Sequence, residues 1–524
     1  MIKNKFWQGL FAITISAISL LMPTTANAKK LTLLYIPLDN RPVCLDYVKQ
    51  TMEAVDCKII LPPEKFIADH DRNGNPEKIA EWLQTKAPKA NAAVISTDSL
   101  LYGGLVGSRT HHISRVQLEQ RLQLLHNLKA VLPIKIYAFS TIMRTPRASR
   151  GRVEPAYYDE LGPAIFAYSE LLDKKDQSKL TPTERLKMQA LERNLPKAEL
   201  SDWLTRRNLN LAMNKELTRM SRNGKFHYLA IGKDDNAPLS ATHMEARQLS
   251  MNTFDMPPTS FQILDGVDQL GLLLLVRAYN EALGHQPLIH ALYSPGVGPG
   301  TLPQYSDARL QDSVPQQITA VGAKLAPSAQ GADLILALNT PADGQVKDST
   351  ADDNQPFASA ANKEFVGTLE QLLQGSTPVS LADISYSNGA DNGFMNLLAR
   401  SPLAPRLATY NGWNTADNAV GYAIAQGLLA RAMKGDAHQR LLRQRLIDDW
   451  YYQSNARRLV SDELEKHNRE DMKYELAEAQ KPVLDFVTGQ CQRMVNQYAL
   501  TKGTRFKLEF PWNRLFEVDV EIEK

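Results

Sequence analysis

Short apolar runs alternate with helix-forming segments along most of this chain, and nearly every run ends in polar residues. Such runs carry apolar side chains at consecutive positions, as is typical of strands buried on both faces. Ten runs fit the description: LTLLYIP at 31–37, CKIILP at 57–62, AAVISTD at 92–98, IKIYAFST at 134–141, FHYLAIG at 226–232, TSFQILD at 259–265, IHALYSP at 289–295, ADLILALN at 332–339, PVSLADIS at 378–385 and RLATYNGW at 406–413. The repeated order of strand, loop and helix predicts an α/β fold built on parallel strands.

Capping residues mark the starts of several helices between these runs. Asn75 precedes Pro76, and Thr181 lies three residues before Glu184, which is the spacing of a capping box. The segment LGLLLLVRAYNEAL at 270–283 predicts a very apolar helix that ends at Gly284, and a further helix is predicted from about residue 416 to 433.

Two arrangements of the strands agree with this pattern. The first is a (β/α)8-like barrel over residues 29–434, with a helical insertion at about 160–224 and a C-terminal helical region with terminal strands at 435–524. Ten runs exceed the eight strands of such a barrel. The alternative is therefore a pair of doubly wound parallel sheets in two domains, with the break near residues 284–305.

The first 28 residues have the pattern of a signal peptide. Lys3 and Lys5 precede an apolar run at 10–22, and Ala26-Asn27-Ala28 predicts cleavage after Ala28. No second stretch of about eighteen apolar residues follows. The sequence therefore predicts a periplasmic or secreted protein without stable membrane insertion after cleavage.

Composition excludes several function classes. A formal net charge of +3 over 524 residues argues against a nucleic-acid partner. The three cysteines do not form a disulfide scaffold, although Cys44 and Cys57 could pair and leave Cys491 over. Walker, GxGxxG, HExxH and GxSxG motifs are missing, so we predict no cofactor and no transition-metal site.

Two adjacent acids, Asp234 and Asp235, follow the run at 226–232 after Lys233 and are the predicted catalytic residues. Neighbouring carboxylates repel each other, so one of them can keep its proton near neutral pH and act as a general acid. The alternative interpretation is a solvated turn in which an aspartate caps the next helix.

Polar and aromatic residues at the other strand ends are the predicted substrate contacts. In parallel folds the carboxyl ends of the strands carry the functional site. Hydroxyl-binding acids, amides and arginines together with aromatic rings are typical of a carbohydrate site, so the predicted partner is a carbohydrate. The residues are Asp39, Arg41, Asp98, Tyr102, Arg109, Arg144, Asn236, Asn339, Asn388, Asp391, Trp413 and Asn414.

Four arginines crowd the loop after the run at 134–141. Such a loop suits an anionic substrate such as a uronate, a muramic acid or a phosphate ester. Arg144, nearest the strand end, is the best candidate, whereas Arg147 and Arg150 are interpreted as solvated.

The motifs resemble those of a bacterial family known as domain of unknown function 4127, over essentially the whole mature chain. The resemblance implies no activity. The motifs are PLDNRP at 37–42, TDSLLYGGLVGSR at 97–109, Glu154-Pro155 with Tyr157-Tyr158, Asp234-Asp235, NGAD at 388–391, GWNT at 412–415 with Asn418, and PWNR at 511–514.

The adjacent aspartates also resemble the pair in family 84 glycoside hydrolases, which cleave N-acetylhexosaminides by substrate-assisted catalysis. This resemblance implies that Asp234 orients the 2-acetamido group while Asp235 protonates the leaving oxygen and later activates water.

Three functions remain open from the sequence. The leading hypothesis is an exported glycoside hydrolase acting on an amino-sugar or acidic-sugar linkage, in which Asp235 works either with Asp234 or with Asp383, Asp391 or Glu154 as a conventional carboxylate pair. The second is a periplasmic carbohydrate-binding protein without turnover. The third is a metal-dependent hydrolase in which Asp39, Asp98, Asp234 and Asp235 gather a hard cation such as magnesium or calcium.

Overall fold

Two open parallel sheets organise the protein in a computed structural model that describes residues 30–131 and 134–523. The strands are β1 (Thr32–Ile36), β2 (Lys58–Ile60), β3 (Ala92–Ser96), β4 (Lys135–Ile142), β5 (Tyr228–Lys233), β6 (Phe261–Asp265), β7 (Leu288–Tyr293), β8 (Lys324–Leu325), β9 (Leu334–Asn339), β10 (Lys347–Asp348), β11 (Val379–Asp383), β12 (Tyr386–Ser387), β13 (Thr409–Asn411), β14 (Phe506–Glu509) and β15 (Asp519–Ile522). The helices are α1 (Asp46–Glu53), α2 (Pro76–Lys86), α3 (Thr97–Leu101), α4 (Leu105–Thr110), α5 (Arg115–Val131), α6 (Tyr158–Asp176), α7 (Pro182–Asn194), α8 (Lys197–Arg222), α9 (Ala241–Met251), α10 (Leu270–Ala282), α11 (Leu310–Ala320), α12 (Ala360–Gln374), α13 (Asn392–Leu398), α14 (Ala416–Leu429), α15 (Ala437–Arg445), α16 (Arg457–Lys466) and α17 (Gln480–Gln497).

The two large sheets share one topology. Sheet A has the order β2-β1-β3-β4-β5-β6, and sheet B has the order β13-β11-β9-β7-β8. In sheet A the first strand, β1, lies between β2 and β3, and in sheet B the first strand, β7, lies between β8 and β9. The chain therefore adds strands first on one side of this strand and then on the other. Ligands bind outside the carboxyl ends of the strands at such a switch point.

The α/β class and the alternative of doubly wound parallel sheets are confirmed, whereas the described strands form no closed barrel. Helix α10 explains the difference. It follows β6, and ten of its thirteen residues are buried because one side packs on β1, β3 and β4 and the other on α14. The chain that leaves α10 therefore starts a new sheet instead of continuing along β6.

Helix α14 completes this middle layer. It contacts β9, β11 and β13 of sheet B on one side and α10 on the other. Apolar residues of both sheets and both helices form one continuous core. The two sheets accordingly belong to a single compact unit that begins at Leu31.

Helical segments cover the outer faces of the sheets. Helices α6, α7 and α8 form the helical insertion between β4 and β5, and α8 packs on both of these strands. The C-terminal region is helical from α15 to α17, with a π-helical stretch at Leu446–Ala456, and ends in the antiparallel pair β14 and β15. Its apolar residues form a second core with sheet B.

Several sequence predictions concern single residues or the chain start. Asn75 caps α2 and Thr181 forms a capping box at α7, as predicted. Cys44 is a buried thiol, so no disulfide joins it to Cys57 in the described chain.

The predicted signal peptide at 1–28 lies outside the described residues. Within the described ranges, no helix has both the length and the apolar character required to cross a membrane.

Candidate active-site cleft

The carboxyl ends of both sheets line a cleft that is completed by the C-terminal region. Its central part, which we call the inner chamber, has a volume of about 390 Å³. Loops after β1, β4, β5 and β6 line it from sheet A, and loops after β12 and β13 line it from the side of sheet B. Charged groups dominate the lining: the cationic side chains are Arg41, Arg109, Arg144, Arg150, Arg457, Lys473 and Arg514, and the acidic ones are Asp234, Asp235 and Asp268.

Asp234 follows β5 and is held by Arg109 of α4. Nε and Nη2 of Arg109 both donate to Oδ2 of Asp234, at 3.1 and 2.6 Å. Oδ1 of Asp234 takes no bond from Arg109, and the residue lines the inner chamber. Burial raises the pKa of Asp234, and the charge of Arg109 opposes this rise.

Asp235 shares Arg144 with Glu154. Nη1 of Arg144 donates to Oδ2 of Asp235 at 2.7 Å, and Nε donates to Oε1 of Glu154 at 2.6 Å. Glu154 is buried, which raises the pKa of its carboxyl, and its Oε1 also lies 3.8 Å from Nε of Arg109. Asp235, by contrast, keeps part of its side chain exposed in the cleft.

Asp268 is a third acid of the inner chamber and follows β6. Nη1 and Nη2 of Arg41 donate to its two oxygens at 3.2 and 2.6 Å, while Nε of Arg41 binds both oxygens of Asp39 at 3.0 Å. Nδ2 of Asn414 donates to Oδ2 of Asp268 at 3.3 Å. Burial raises the pKa of Asp268, and the charges of Asp39 and Asp235 add to the rise, whereas Arg41 lowers it.

The charge balance of these groups is uneven. Five carboxyl groups (Asp39, Asp234, Asp235, Asp268 and Glu154) share three arginines (Arg41, Arg109 and Arg144). Burial raises the pKa of Asp234, Asp268 and Glu154, and the charges of the arginines oppose this rise. A raised pKa suits a carboxyl group to general acid catalysis.

Two further arginines enter the chamber from the C-terminal region. Arg457 and Arg514 lie over the ring of Phe516, with guanidinium carbons 5.9 and 5.8 Å from its centre. Nε and Nη2 of Arg514 bind Glu517, while Arg457 donates to backbone carbonyls of Gln453 and Asn388. Among the described residues neither Nη1 group has a hydrogen-bond partner, so both remain able to bind an anion.

Trp512 packs against two arginines that line the inner chamber. The guanidinium carbons of Arg41 and Arg514 lie 5.5 and 4.8 Å from the centre of its ring. Its Nε1 donates to Oδ1 of Asn40 at 2.7 Å. Since the ring is almost completely buried, Trp512 positions the arginines rather than offering a free stacking face.

A second cavity, which we call the outer chamber, adjoins the first and has a volume of about 880 Å³. The residues that line both chambers are Pro146, Ala148, Asp235 and Tyr305. The outer chamber carries fewer charges, namely Arg147, Arg309, Asp235 and Asp343. The two chambers therefore form one cleft with Asp235 and Tyr305 at the junction.

Four residues that line the cleft have an unusual backbone conformation. Asp235, Tyr305, Asn388 and Asn414 have φ values of 26°, 63°, 60° and 61°. Residues other than glycine rarely occupy this left-handed region, and they persist there when the surrounding structure holds them. Strain of this kind is typical of functional sites.

The hypothesis of a metal centre is not supported by the positions of its residues. Asp39, Asp234 and Asp235 each bind an arginine, and Asp98 is completely buried. Within the described ranges, no group of three or more histidine, cysteine, aspartate or glutamate side chains is arranged to hold a metal ion.

The family model "Protein of unknown function (DUF4127)" matches residues 33–521 of the chain. The chain belongs to this family. A comparison with curated proteins gives no match. Membership of DUF4127 confirms the resemblance seen in the sequence motifs.

Among solved structures, this DUF4127 protein resembles the periplasmic binding protein component of the arabinose ABC transporter from Shewanella sp. ANA-3, which is bound to α- and β-L-arabinofuranose. The two share 11% sequence identity, and the likeness covers 76% of this chain and 97% of the other. The TM-score is 0.15, so the likeness supports no conclusion about fold or ligand.

The structure brings about half of the predicted site residues of this DUF4127 chain into the cleft. Those that line a chamber are Arg41, Arg109, Arg144, Asp234, Asp235, Asn236, Asn388 and Asn414. Among the described residues, the walls of the two chambers do not include Asp39, Asp98, Tyr102, Asn339, Asp391 or Trp413. Whether the lining residues bind a substrate stays a prediction.

The residues outside the cleft have structural partners. Tyr102 stacks on His111 at 4.8 Å, and Trp413 packs against Phe516 at 5.9 Å. Asn339 donates to Asp383 at 2.9 Å. The aromatic groups that line the inner chamber are instead Tyr305, Tyr474, Trp512 and Phe516.

Asp383, Asp391 and Asp98, which were considered as acids of the site, are buried away from the chambers. Oδ2 of Asp383 accepts from the backbone N–H of Asp391 at 2.9 Å, and Oδ1 of Asp391 caps α13. Burial raises the pKa of Asp383 to about 8 and that of Asp98 also to about 8.

Sequence reasoning missed Asp268, Tyr305, Arg457 and Arg514. Asp268 lies three residues after the end of β6 and had the same signal as Asp234, a polar residue after a buried strand. The positive φ of Tyr305 has no sequence signal, because tyrosine has no preference for that conformation. Arg457 lies in a charged helical region where nothing distinguishes it from solvated neighbours, and Arg514 belongs to the PWNR motif but follows no predicted parallel strand.

Proposed function

We propose that this protein is an exported glycoside hydrolase that acts on an acidic saccharide in the cleft. The observation that carries the proposal is the sharing of three arginines by five carboxyl groups where the strand ends of both sheets meet. Export rests on the predicted signal peptide, and the hydrolase class on the cluster of acids.

The excess of cationic side chains supports an anionic substrate. Seven cationic and three acidic side chains line the inner chamber. Arg457 and Arg514 each keep one unbonded Nη1 group among the described residues, and a planar guanidinium suits a carboxylate. A uronic acid or another sugar acid combines this charge with the hydroxyl groups that Asn388 and Asn414 are able to bind.

The different environments of two acids support distinct catalytic roles. Asp268 has a raised pKa and shares Arg41 with Asp39, which suits it to donate a proton to the glycosidic oxygen. Asp235 is ion-paired with Arg144 and lies at the junction of the chambers, which suits it to act as the carboxylate that attacks the anomeric carbon or activates water. Asp234 then positions Arg109 and the substrate.

The substrate-assisted route implied by the resemblance to family 84 assigns the same residues differently. Asp234 would orient a 2-acetamido group and Asp235 would be the acid. This route requires an N-acetylated sugar on the glycone side of the cleaved bond, whereas the pair of Asp268 and Asp235 does not.

The first experiment compares Asp268→Asn and Asp235→Asn with the wild type on a panel of neutral, acidic and N-acetylated glycosides. We expect turnover of acidic glycosides by the wild type and a loss of about 10²–10⁴-fold in each variant. Asp268→Asn should recover on aryl glycosides with a good leaving group, because such a group departs without protonation. Asp235→Asn should not recover.

The exposed Asp485 of α17 provides a matched control, since Asp485→Asn changes the same side chain far from the acids of the cleft. Full activity of Asp268→Asn on poor leaving groups would remove Asp268 from the mechanism. Activity confined to N-acetylated glycones and lost in Asp234→Asn would instead support the substrate-assisted route.

A specific observation favours a second function, carbohydrate binding without turnover. Each of the three acids in the inner chamber is bound to an arginine. In a site that only recognises its ligand each acid is able to stay paired with an arginine in this way, because none of them must change protonation. Micromolar binding of an acidic saccharide without product formation in the same panel would establish this function.

A further inference from the structure

The cleft extends well beyond the space around the acids. The inner and outer chambers have volumes of about 390 and 880 Å³ and meet at Asp235 and Tyr305. Together they exceed the upper end of the range of about 300–1,000 Å³ that is usual for small-ligand sites. A single sugar unit leaves most of this space empty.

The two chambers differ in charge. The inner chamber has seven cationic and three acidic side chains, whereas the outer chamber has two of each. Its other walls come mainly from apolar and amide groups, among them Phe166, Leu302 and Gln345. The inner chamber therefore suits an acidic group, and the outer chamber suits a neutral one.

Tyr305 lies where the two chambers adjoin and lines both of them. Its backbone oxygen accepts a hydrogen bond from the backbone N–H of Asn236 at 2.9 Å, which ties it to the strand end that carries Asp235. The residue is 44% exposed although its φ of 63° is unfavourable for tyrosine. The tyrosine is thus held in the wall that the two chambers share.

We infer that the cleft binds an acidic oligosaccharide of at least two sugar units, with an acidic unit in the inner chamber and a neutral unit in the outer chamber. This inference rests on the proposed function, because it places the cleaved bond beside Asp235. It specifies that the substrate is a chain in which charged and neutral units are joined, rather than a single sugar acid.

Calorimetry with three probes tests the inference: glucuronic acid, the disaccharide of glucuronic acid and N-acetylglucosamine, and the corresponding tetrasaccharide. The probes are titrated into the Asp268→Asn variant, so that they are not cleaved. We expect at least tenfold tighter binding of the disaccharide than of glucuronic acid, and no loss of affinity for the tetrasaccharide.

A bulky residue in the outer chamber provides the structural control. Gln345 is exposed and lines that chamber only, so Gln345→Trp should weaken disaccharide binding at least tenfold and leave the binding of glucuronic acid unchanged. Gln123→Trp, at an exposed position of α5, should change neither.

The outcomes separate the inference from the proposed function. Equal affinity for glucuronic acid and the disaccharide, or an equal effect of Gln345→Trp on both, would overturn the inference and leave a monosaccharide site. Failure of all three probes to bind, with Asp268→Asn correctly folded, would overturn the proposed acidic saccharide and the inference together.

Discussion

At the level of single residues, the partner that a buried acid meets affects its pKa more than its position in the sequence does. Asp98 and Asp234 both follow strands of sheet A, yet Asp234 meets Arg109 while Asp98 has only Thr141 as a side-chain donor among the described residues, at 3.2 Å. Oδ2 of Asp98 has no hydrogen-bond partner in the same part of the chain. Burial therefore raises the pKa of Asp98 to about 8.

This environment predicts a pH-dependent effect of Asp98→Asn on stability. In the unfolded chain an aspartate ionises near pH 3.9, whereas folded Asp98 stays protonated until about pH 8, so its contribution to stability is lost as the pH rises through that window. The asparagine side chain of the variant does not ionise. We therefore compare the unfolding free energies of the variant and the wild type. The difference, Asp98→Asn minus wild type, should increase from pH 5 to 8 by up to about 1.4 kcal/mol per pH unit.

Denaturant titrations at pH 5, 6, 7 and 8 measure this difference. The exposed substitution Asp485→Asn should give a profile parallel to that of the wild type. A parallel profile for Asp98→Asn would mean that Asp98 is ionised in the folded protein.

At the level of elements, the helices were easier to predict than the partners of the strands. The caps at Asn75 and Thr181 are local signals and are found as predicted, since a cap bonds to backbone only three residues away. The apolar run at 270–283 predicted a helix, but not that α10 lies between two sheets. The close contact between α10 and β1 depends on Gly271, because a Cβ there would overlap the hydroxyl oxygen of Tyr35 in β1.

Gly271→Ala should therefore destabilise the protein although alanine favours helices. The added methyl group displaces Tyr35, whose buried hydroxyl donates to the carbonyl of Cys44 at 2.8 Å. Overpacking costs about 1–3 kcal/mol and a lost buried hydrogen bond a similar amount, against a gain of at most about 1 kcal/mol from helix propensity. We expect a net loss of about 2–4 kcal/mol in denaturant unfolding.

Gly367 in α12 is the matched control, because a Cβ there meets no atom within 4 Å. Gly367→Ala should raise the free energy of unfolding by about 0.5–1 kcal/mol. If both substitutions stabilise the protein, the packing of α10 against Tyr35 is looser than the structure indicates.

At the level of the whole molecule, the cleft forms only because three parts of the chain meet. Sheet A contributes the acids and four arginines, the side of sheet B contributes Asn388 and Asn414, and the C-terminal region contributes Arg457, Lys473 and Arg514. No one of these parts contains a complete charged site. Substrate affinity should accordingly depend on residues far from the acids in sequence.

Arg457→Gln tests this dependence. It removes a charge from the inner chamber, and a charge-assisted hydrogen bond contributes about 1.5–3 kcal/mol, so we expect about 10–100-fold weaker binding of glucuronic acid. Binding of the neutral analogue methyl glucoside should change little. Both affinities can be measured by calorimetry, and the difference between wild type and variant should shrink at high salt.

The neighbouring substitution Arg458→Gln is the control, because Arg458 lies on the same helix but pairs with the exposed Asp352. Equal effects of the two substitutions, or equal effects on acidic and neutral ligands, would show that Arg457 acts through the fold instead of through its charge.

The sequence by itself determined the strands, the capped helices, the α/β class and the placement of polar residues after the strands, since each depends on contacts among neighbours in the chain or on local periodicity. Only the tertiary structure decided that the strands form two open sheets and that Arg41 binds Asp268, 227 positions away. The same holds for the arginines of the C-terminal region and for the burial of Asp98, Asp383 and Trp413. The physical reason is that polar strand ends look alike in sequence, whereas their function depends on which of them packing leaves exposed in the cleft.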